Sequence, residues 1–429
     1  MTTLTLLLSF LILLFIRVPV GYSIGLSTFF TLLFSLPPLP SVITIAQRMA
    51  TSMDSFALLA IPLFILAGQI MNQGGIAKRL VELAKGIVGP LPGGLAFVNI
   101  VSCMLFGAIS GSAAAAASAI GGFMTPVMVK EGYDKSFSTA VNITSSTTGL
   151  IIPPSNILIL YSLASGGISI SALFLAGYIP GILVGLSLMI VAGTYCYLKK
   201  YPTIPFIGFR KLFKSLIDAL PSLFLLVVVM GGIITGIFTA TEASAVAVLY
   251  ALVLAIFYKE ISFTILFEVL LSTVKVTAIV LFLIMTSMAM SWVMSFENIP
   301  QEISTTLLNL SDNPIIILLL INLILLFVGV FMDMTPAVLI FTPIFLPITT
   351  DLGIDPIHFG IIMIVNLCIG LCTPPVGSIL FIGCSVSNLS IQQVSRPLIP
   401  LFFTMILALW ILTMFPEITL WLPRMFELL

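Results

Sequence analysis

The sequence predicts an all-α polytopic membrane protein, and three features of the chain lead to this fold class. Of its 429 residues, 60% are hydrophobic and only 7% are charged, whereas about 25% charged residues are typical of soluble domains. Apolar stretches of about 20 residues, the length that crosses a bilayer as a helix, recur to the end of the chain. The motifs of the first half also return in the second half in the same order. This composition excludes a soluble enzyme.

Proline, glycine and charged residues divide the apolar sequence into about ten spans. The start of the chain lacks the basic region and cleavage site of a signal peptide, so we expect it to be a retained first span. The predicted spans are residues 3–17, 18–36, 52–72, 136–165, 169–198, 217–238, 243–258, 275–296, 357–386 and 396–415.

Two further apolar stretches, 93–130 and 314–351, are too long for a single crossing. Each is broken midway, the first by Ser-Gly-Ser and the second by Asp-Met-Thr-Pro. We therefore predict two re-entrant helical hairpins that enter and leave on the same side. A short amphipathic segment precedes each hairpin, residues 74–90 and 297–313, and is expected to lie along the membrane interface as an arm.

The distribution of charge predicts which side each loop faces. Lys and Arg accumulate on the cytoplasmic side of spanning helices, and residues 199–216 contain five of them. With this segment as a cytoplasmic linker, most other basic residues fall on the same side, the basic first arm included, while the acidic second arm falls outside. The total of 16 basic and 16 acidic residues leaves no basic excess for a nucleic acid.

Repeated motifs predict two structural repeats of opposite orientation. Gly149 and Gly370 each begin a Gly-Leu-x-x-Pro-Pro motif, 221 positions apart (370 − 149), and four further pairs of matches lie at offsets of 217 to 223. Each half contains scaffold spans (1–72 and 217–296), an arm, a hairpin, a broken span and a last span. Five crossings per half place the repeat 217–429 upside down relative to the repeat 1–198. Secondary transporters are built in this way, with their sites where broken helices of both halves meet.

Hydroxyl and amide groups cluster at the first tip and at the break in the following span, residues 142–156. Non-helical backbone at membrane depth needs a partner for its carbonyl groups, and a bound cation is one such partner. Two other roles remain open: the small residues after Ser112 can serve close helix packing, and Ser or Thr hydroxyls can bond back to their own helix.

The second tip contains Asp333, the one carboxylate that this topology places at a hairpin tip. An ionisable residue inside the membrane is by default a functional candidate. The alternative is helix capping, because Asp before Thr-Pro is a favourable N-cap. Carbonyl, hydroxyl and carboxylate oxygens are suitable ligands for an alkali cation, whereas a proton relay needs a chain of Asp, Glu or His inside the membrane. Because the sequence offers the oxygens but no such chain, Na⁺ is favoured over H⁺ as the coupling ion. The chain has no phosphate-binding Gly-x-x-x-x-Gly-Lys-[Ser/Thr] motif, so we expect no nucleotide.

With its SGSAAA and MDMTPA tips, each followed by a G-L-x-x-P-P break, the whole chain resembles the large, DctM-like membrane subunit of tripartite ATP-independent periplasmic (TRAP) transporters. The resemblance implies an elevator-type member of the ion transporter superfamily in the bacterial inner membrane. It would import an organic acid, such as sialic acid or a C4-dicarboxylate, together with two or more Na⁺ ions. The implied partners are a periplasmic substrate-binding protein and a small four-helix membrane subunit.

The resemblance also implies site residues, which match the family at the tips and are placed by position at the breaks. The implied Na⁺ ligands are Ser110, Gly111, Ser112, Ser145, Ser146, Gly149, Pro153, Asn156, Gly329, Asp333, Thr335, Gly370, Thr373 and Pro374. The implied substrate contacts are Ser112, Ala113, Asn142, Ser155, Met334, Thr335, Pro336, Gly377 and Ser378.

Two other function classes stay open from the sequence. One is a Na⁺/carboxylate symporter of the same superfamily that needs no binding protein, and the other is a channel with re-entrant loops. A membrane-embedded enzyme is not expected, because the single histidine, His358, and five scattered cysteines provide neither a nucleophile with a base nor a metal cluster.

Overall fold

The computed structural model describes residues 2–73, 75–203, 205, 208–309, 311 and 313–429, and all regular elements in these ranges are helices. Parts of the predicted arms and linker, at residues 74, 204, 206, 207, 310 and 312, lie outside the described residues. Within the described residues, nine helices are long and apolar enough to cross a membrane, or ten when α8 and α9, defined below, count as one bent span. The prediction of an all-α polytopic membrane protein is confirmed.

The described part of the first half contains ten α-helices and two short 3₁₀ helices between the third and fourth. The helices are α1 (Thr2–Phe15), α2 (Val20–Leu32), α3 (Pro38–Thr51), α4 (Ala60–Gln73), α5 (Ile76–Val88), α6 (Gly94–Ser110), α7 (Ala113–Lys130), α8 (Lys135–Ile151), α9 (Asn156–Ala164) and α10 (Ile170–Lys199).

The described part of the second half also contains ten helices. They are α11 (Phe209–Ile234), α12 (Ala240–Phe257), α13 (Phe263–Phe296), α14 (Ile299–Leu308), α15 (Pro314–Phe331), α16 (Met334–Asp351), α17 (Pro356–Gly370), α18 (Ser378–Ser387), α19 (Ile391–Met414) and α20 (Glu417–Met425). The helix pairs α6–α7 and α15–α16 coincide with the two predicted hairpins, and α5 and α14 coincide with the predicted arms.

The structure differs from the predicted boundaries in several places, of which four add helix outside the predicted spans. α11 begins inside the predicted linker, because the basic residues after Phe209 alternate with apolar ones at helical spacing. α13 begins at Phe263, twelve residues before the predicted span (275 − 263), where Ser262 caps it. α3 was not expected between the second and third spans and starts with a proline at its first turn. α20 follows the last predicted span.

Two almost completely buried helices, α8 and α17, form the centre of the molecule. They meet where the Cys368 and Cys372 thiols donate to the carbonyl oxygens of Thr147 and Ile143, both at 3.5 Å. The first hairpin packs on α8 through α6, and the second packs on α17 through α15. α10 and α19 cross to the opposite half and contact α17 and α8. The same packing partners recur in both halves, and the inverted orientation of the halves stays a prediction.

Each arm is attached to the helices that we predicted as scaffold. On α5, Arg79 forms an ion pair with Glu260 at 3.0 Å, and its guanidinium lies 3.6 Å from the centre of the Tyr258 ring. On α14, Glu302 accepts a hydrogen bond from Thr3 on α1. The arms thereby connect the hairpins that follow them to the segment after α12 and to α1.

Candidate functional site: a cavity between the hairpin tips

A cavity of about 640 Å³ lies where both hairpin tips and both helix breaks meet. Ser110 to Ala115 and Asp333 to Thr335 line it from the tips, and Asn156 and Ser378 line it from the starts of α9 and α18. α4 and α13 form the opposite wall. Residues that are far apart in both halves of the sequence therefore meet at one cavity, at the place where the broken segments were expected to converge.

The first tip is a tight turn between α6 and α7. Gly111 adopts the left-handed conformation (φ +60°), which glycine enters without steric cost, and its N–H donates to the Gly107 carbonyl at 2.8 Å. The Ser112 hydroxyl accepts the N–H of Ala115 at 3.2 Å and so caps α7. The turn therefore places the first residues of α7, Ala113 to Ala115, in the lining of the cavity.

The second tip differs from the first in how its capping position is used. Asp333 occupies the N-cap position of α16, but its carboxylate makes no capping hydrogen bond. It instead accepts the Ser378 hydroxyl at 3.3 Å, which connects the tip to the start of α18. Side-chain capping by Asp333, one of the two roles open from the sequence, is absent from the structure. The carboxylate stays exposed at the cavity surface.

The hydroxyl groups before the first break bond to nearby backbone. Ser145 donates to the Val141 carbonyl at 2.7 Å, and Ser146 donates to the Ile143 carbonyl at 2.8 Å. The Asn142 amide donates to the Ala117 carbonyl at 2.8 Å and so attaches α8 to α7. Ser155 donates to the Leu150 carbonyl at 2.5 Å across the break. These four side chains are buried away from the cavity lining.

The second break has a similar arrangement. The Thr373 hydroxyl donates to the Ile369 carbonyl at 2.7 Å, and the Gly377 N–H donates to the Thr373 carbonyl at 3.0 Å. Gly377 has no room for a side chain, because a Cβ atom there would lie 2.4 Å from the Leu371 carbonyl oxygen. The break is thus held by its own backbone. α18 begins directly after it at Ser378, beside Asp333.

Three of the predicted glycines lie where helices cross at very short distance. A Cβ atom on Gly149 would lie 2.3 Å from the Gly107 Cα, so α6 and α8 touch through backbone. A Cβ atom on Gly370 would lie 2.6 Å from the Gly329 Cα, which is the corresponding contact of α15 with α17. Each hairpin is fixed to its broken helix by a glycine pair below its tip.

The cavity therefore includes some predicted site residues and leaves out others. Those in its lining are Ser110, Gly111, Ser112, Ala113, Asn156, Asp333, Met334, Thr335 and Ser378. Those outside the lining are Asn142, Ser145, Ser146, Gly149, Pro153, Ser155, Gly329, Pro336, Gly370, Thr373, Pro374 and Gly377. The binding roles of both groups stay predictions.

Helix ends dominate the electrostatics of the cavity. Four helices, α7, α9, α16 and α18, begin at lining residues and direct their positive N-terminal ends to it. The C-terminal ends of α6 and α8 reach the same lining through Ser110 and Leu150. Among the described lining residues, Asp333 is the only charged side chain. The cavity thus offers N–H groups to an anion, and carbonyl groups and one carboxylate to a cation.

Sequence reasoning missed the contribution of α4. Gln69 and Asn72 line the cavity from the wall facing the tips, although the segment 52–72 was predicted only as a span. Gly68 beside them lies so close to the first tip that a Cβ atom there would be 2.4 Å from the Ser110 carbonyl oxygen. A signal was present in the sequence: Ile61, Ile65, Gly68, Gln69 and Asn72 share one face at helical spacing.

Comparison with known proteins identifies relatives over almost the whole chain. The family model described as "Tripartite ATP-independent periplasmic transporter, DctM component" matches residues 7–418. The uncharacterized protein YgiK of Salmonella typhimurium is 54% identical over 97% of this chain and 96% of its own length. The C4-dicarboxylate TRAP transporter large permease protein DctM of Pseudomonas aeruginosa is 40% identical, over 94% of each chain.

A relative named for a different substrate is almost equally similar. The sialic acid TRAP transporter large permease protein SiaM of Vibrio cholerae is 39% identical over 96% of each chain. Among solved structures, the YdaH transporter of Alcanivorax borkumensis aligns with a TM-score of 0.68 over 100% of this chain and 99% of its own, at 14% identity. This last similarity concerns the fold alone.

Proposed function

The chain belongs to the DctM family of TRAP transporter large permeases, multi-pass proteins of the bacterial inner membrane that carry out secondary transport of organic acids, and we propose that it imports an organic acid together with Na⁺. The substrate would be delivered by a periplasmic binding protein, and a small four-helix membrane subunit would support the scaffold. The observation that carries the proposal is the cavity on which four helix N-termini converge beside a single carboxylate.

The convergence of helix N-termini supports an anionic substrate. Free N–H groups and the helix dipole attract negative charge at a helix start, and here they stand in for the basic side chains that the described lining lacks. The cap of α7 is Ser112, an uncharged residue, so no carboxylate at that helix start would repel an anion. A carboxylate placed between the two tips would meet the starts of α7 and α16 together.

Asp333 supports a coupled cation. Two carboxylates 4 Å apart repel each other by about 4 kcal/mol at an effective dielectric constant of 20, so a substrate carboxylate alone would be disfavoured beside Asp333. A Na⁺ ion between them would reverse the sign of this interaction. Its other ligands would be carbonyl and hydroxyl oxygens at the ends of α6 and α8 and in the second break, which are suitable donors for a hard cation.

The packing of the two walls supports an elevator mechanism. The hairpins and broken helices contact one another through α8 and α17 and form one packed group. The wall opposite them is mostly apolar: α13 contributes Val276, Ile279, Val280 and Leu283. α4 contributes Gly68 at its closest contact with a tip, and its two amides, Gln69 and Asn72, form no described hydrogen bond with the packed group. Such a surface has few polar contacts to break when the packed group slides along it.

The second candidate function is that of a Na⁺/carboxylate symporter that needs no binding protein. The same cavity would serve this function. A channel is disfavoured because both tips are held by hydrogen bonds and by close glycine contacts.

The test is uptake into liposomes that contain the chain with its membrane partner and the periplasmic binding protein. We expect accumulation of the organic acid against its gradient when Na⁺ is high outside, and none with external K⁺ and a pH gradient. Equal accumulation under the two conditions would contradict Na⁺ coupling. Passive equilibration in both would identify a channel.

A further inference from the structure

The wall of the cavity formed by α4 changes character along its length. Ile61 and Ile65 make its first part apolar, while Gln69 and Asn72 place two carboxamide groups at its other end. The two amides lie three residues apart and therefore on the same face of the helix. They are the only polar side chains that α4 and α13 contribute to the described lining.

The two amides are not engaged by the protein. Neither forms a hydrogen bond with another described residue, and both are only partly exposed, whereas Asn142 and Asn366 donate to carbonyl oxygens inside the helix bundle. A carboxamide has two N–H donors and an oxygen with two acceptor positions. Both amides are therefore available at the cavity surface, and a ligand that pairs their donors and acceptors gains hydrogen bonds that the protein does not already use.

The chemistry of a carboxamide matches a hydroxyl group better than a carboxylate. A hydroxyl both donates and accepts, so it can use the N–H and the C=O of an amide together, whereas a carboxylate only accepts. A second carboxylate at this wall would leave the oxygens of Gln69 and Asn72 unpaired. It would also add a second negative charge to a lining whose only described charge is that of Asp333.

On the basis of the proposed function, we infer that Gln69 and Asn72 bind hydroxyl groups of the substrate and that the cargo is a polyhydroxylated monocarboxylate of the sugar-acid class. The carboxylate lies at the tips, and the hydroxylated part of the molecule reaches the amides of α4. A dicarboxylate without hydroxyl groups is a poor ligand, because one of its charged ends meets the amides. Gln69 and Asn72 are thus specificity-determining residues on the wall opposite the tips.

Three acids with six carbon atoms separate these chemistries: gluconate, a polyhydroxylated monocarboxylate; hexanoate, which lacks the hydroxyl groups; and adipate, a dicarboxylate. Their binding to the full chain in lipid nanodiscs is measured with Na⁺ and with K⁺ in its place. The variants are Gln69→Leu and Asn72→Leu, with Gln69→Met as a second change at that position. The matched control is Gln73→Leu, an exposed glutamine on the same helix and outside the cavity lining.

In Na⁺, we expect gluconate to bind at least tenfold more tightly than adipate or hexanoate. Gln69→Leu, Gln69→Met and Asn72→Leu should each weaken gluconate binding about tenfold and leave hexanoate binding unchanged, while Gln73→Leu changes neither. Tighter binding of adipate than of gluconate, or the same loss in Gln73→Leu as at positions 69 and 72, would overturn the inference and leave Na⁺-coupled carboxylate transport standing. Absence of Na⁺-dependent gluconate binding would likewise overturn the inference, whereas the proposed function itself is contradicted only if uptake of organic acids into liposomes is independent of Na⁺.

Discussion

Replacement of Gly370 by alanine should destabilise the protein through a single backbone contact. The added Cβ atom would lie 2.6, 2.7 and 2.8 Å from the Cα, C and O atoms of Gly329. Ordinary carbon contacts lie at about 3.5–4.0 Å, so α15 and α17 would have to separate by about 1 Å. Over-packing of this kind costs about 1–3 kcal/mol, and the higher helix propensity of alanine returns up to about 1 kcal/mol. The net loss is about 1–2 kcal/mol, or about 5–30-fold in the ratio of folded to unfolded protein.

Two companion variants make this experiment decisive. Gly149→Ala places a Cβ atom 2.3 Å from the Gly107 Cα and should destabilise at least as strongly. Gly231→Ala in α11 is the matched control, because no atom lies within 4 Å of its added Cβ, and it should be neutral or slightly stabilising. Thermal unfolding in detergent should therefore rank Gly149→Ala and Gly370→Ala below the wild type and Gly231→Ala level with it or above. Equal melting temperatures for Gly370→Ala and Gly231→Ala would refute the close crossing of α15 and α17.

Three further predictions concern the tips and the partners. Asp333→Asn should lower the apparent affinity for Na⁺ about tenfold, equivalent to about 1.4 kcal/mol. The melting temperature should stay nearly unchanged, because the carboxylate makes no capping hydrogen bond. A large fall in melting temperature would instead assign Asp333 a structural role. Ser112→Ala removes the cap on the Ala115 N–H and should lower the free energy of unfolding by about 1 kcal/mol. The control is Ser118→Ala, whose exposed hydroxyl makes no described hydrogen bond. An equal loss of stability in the two variants would contradict capping by Ser112. Omission of the periplasmic binding protein should abolish uptake into liposomes, and full uptake of free substrate would favour the symporter that works alone.

The sequence was most informative where a structural feature depends on local chemistry. The turn at Gly111, the cap at Ser112 and the break after Gly370 are each determined by a few neighbouring residues, and the predicted hairpins and broken spans coincide with helices in the structure. Composition and the length of apolar stretches likewise sufficed for the all-α membrane fold.

The sequence was least informative where a role depends on a distant partner. Gly149 and Gly370 were grouped with the Na⁺ ligands implied by the resemblance because of their position at the breaks. Their neighbours Gly107 and Gly329 lie on other helices, α6 and α15. Asn142 has the chemistry of a ligand, but its amide is used by the Ala117 carbonyl. Gln69 was not predicted at all, since its segment carried no motif and its position at the cavity results from packing of α4 against the first tip.

Simultaneous measurement of Na⁺ and substrate flux tests the coupling of the two most directly. Radiolabelled Na⁺ and the organic acid that binds the chain most tightly are followed together in liposomes that contain the complete transporter, with and without a Na⁺ gradient. Coupling predicts that addition of the acid accelerates Na⁺ entry, with two or more Na⁺ ions entering for each molecule of acid, and that Asp333→Asn weakens both fluxes in parallel. Entry of the acid without any associated movement of Na⁺ would contradict coupling at this cavity.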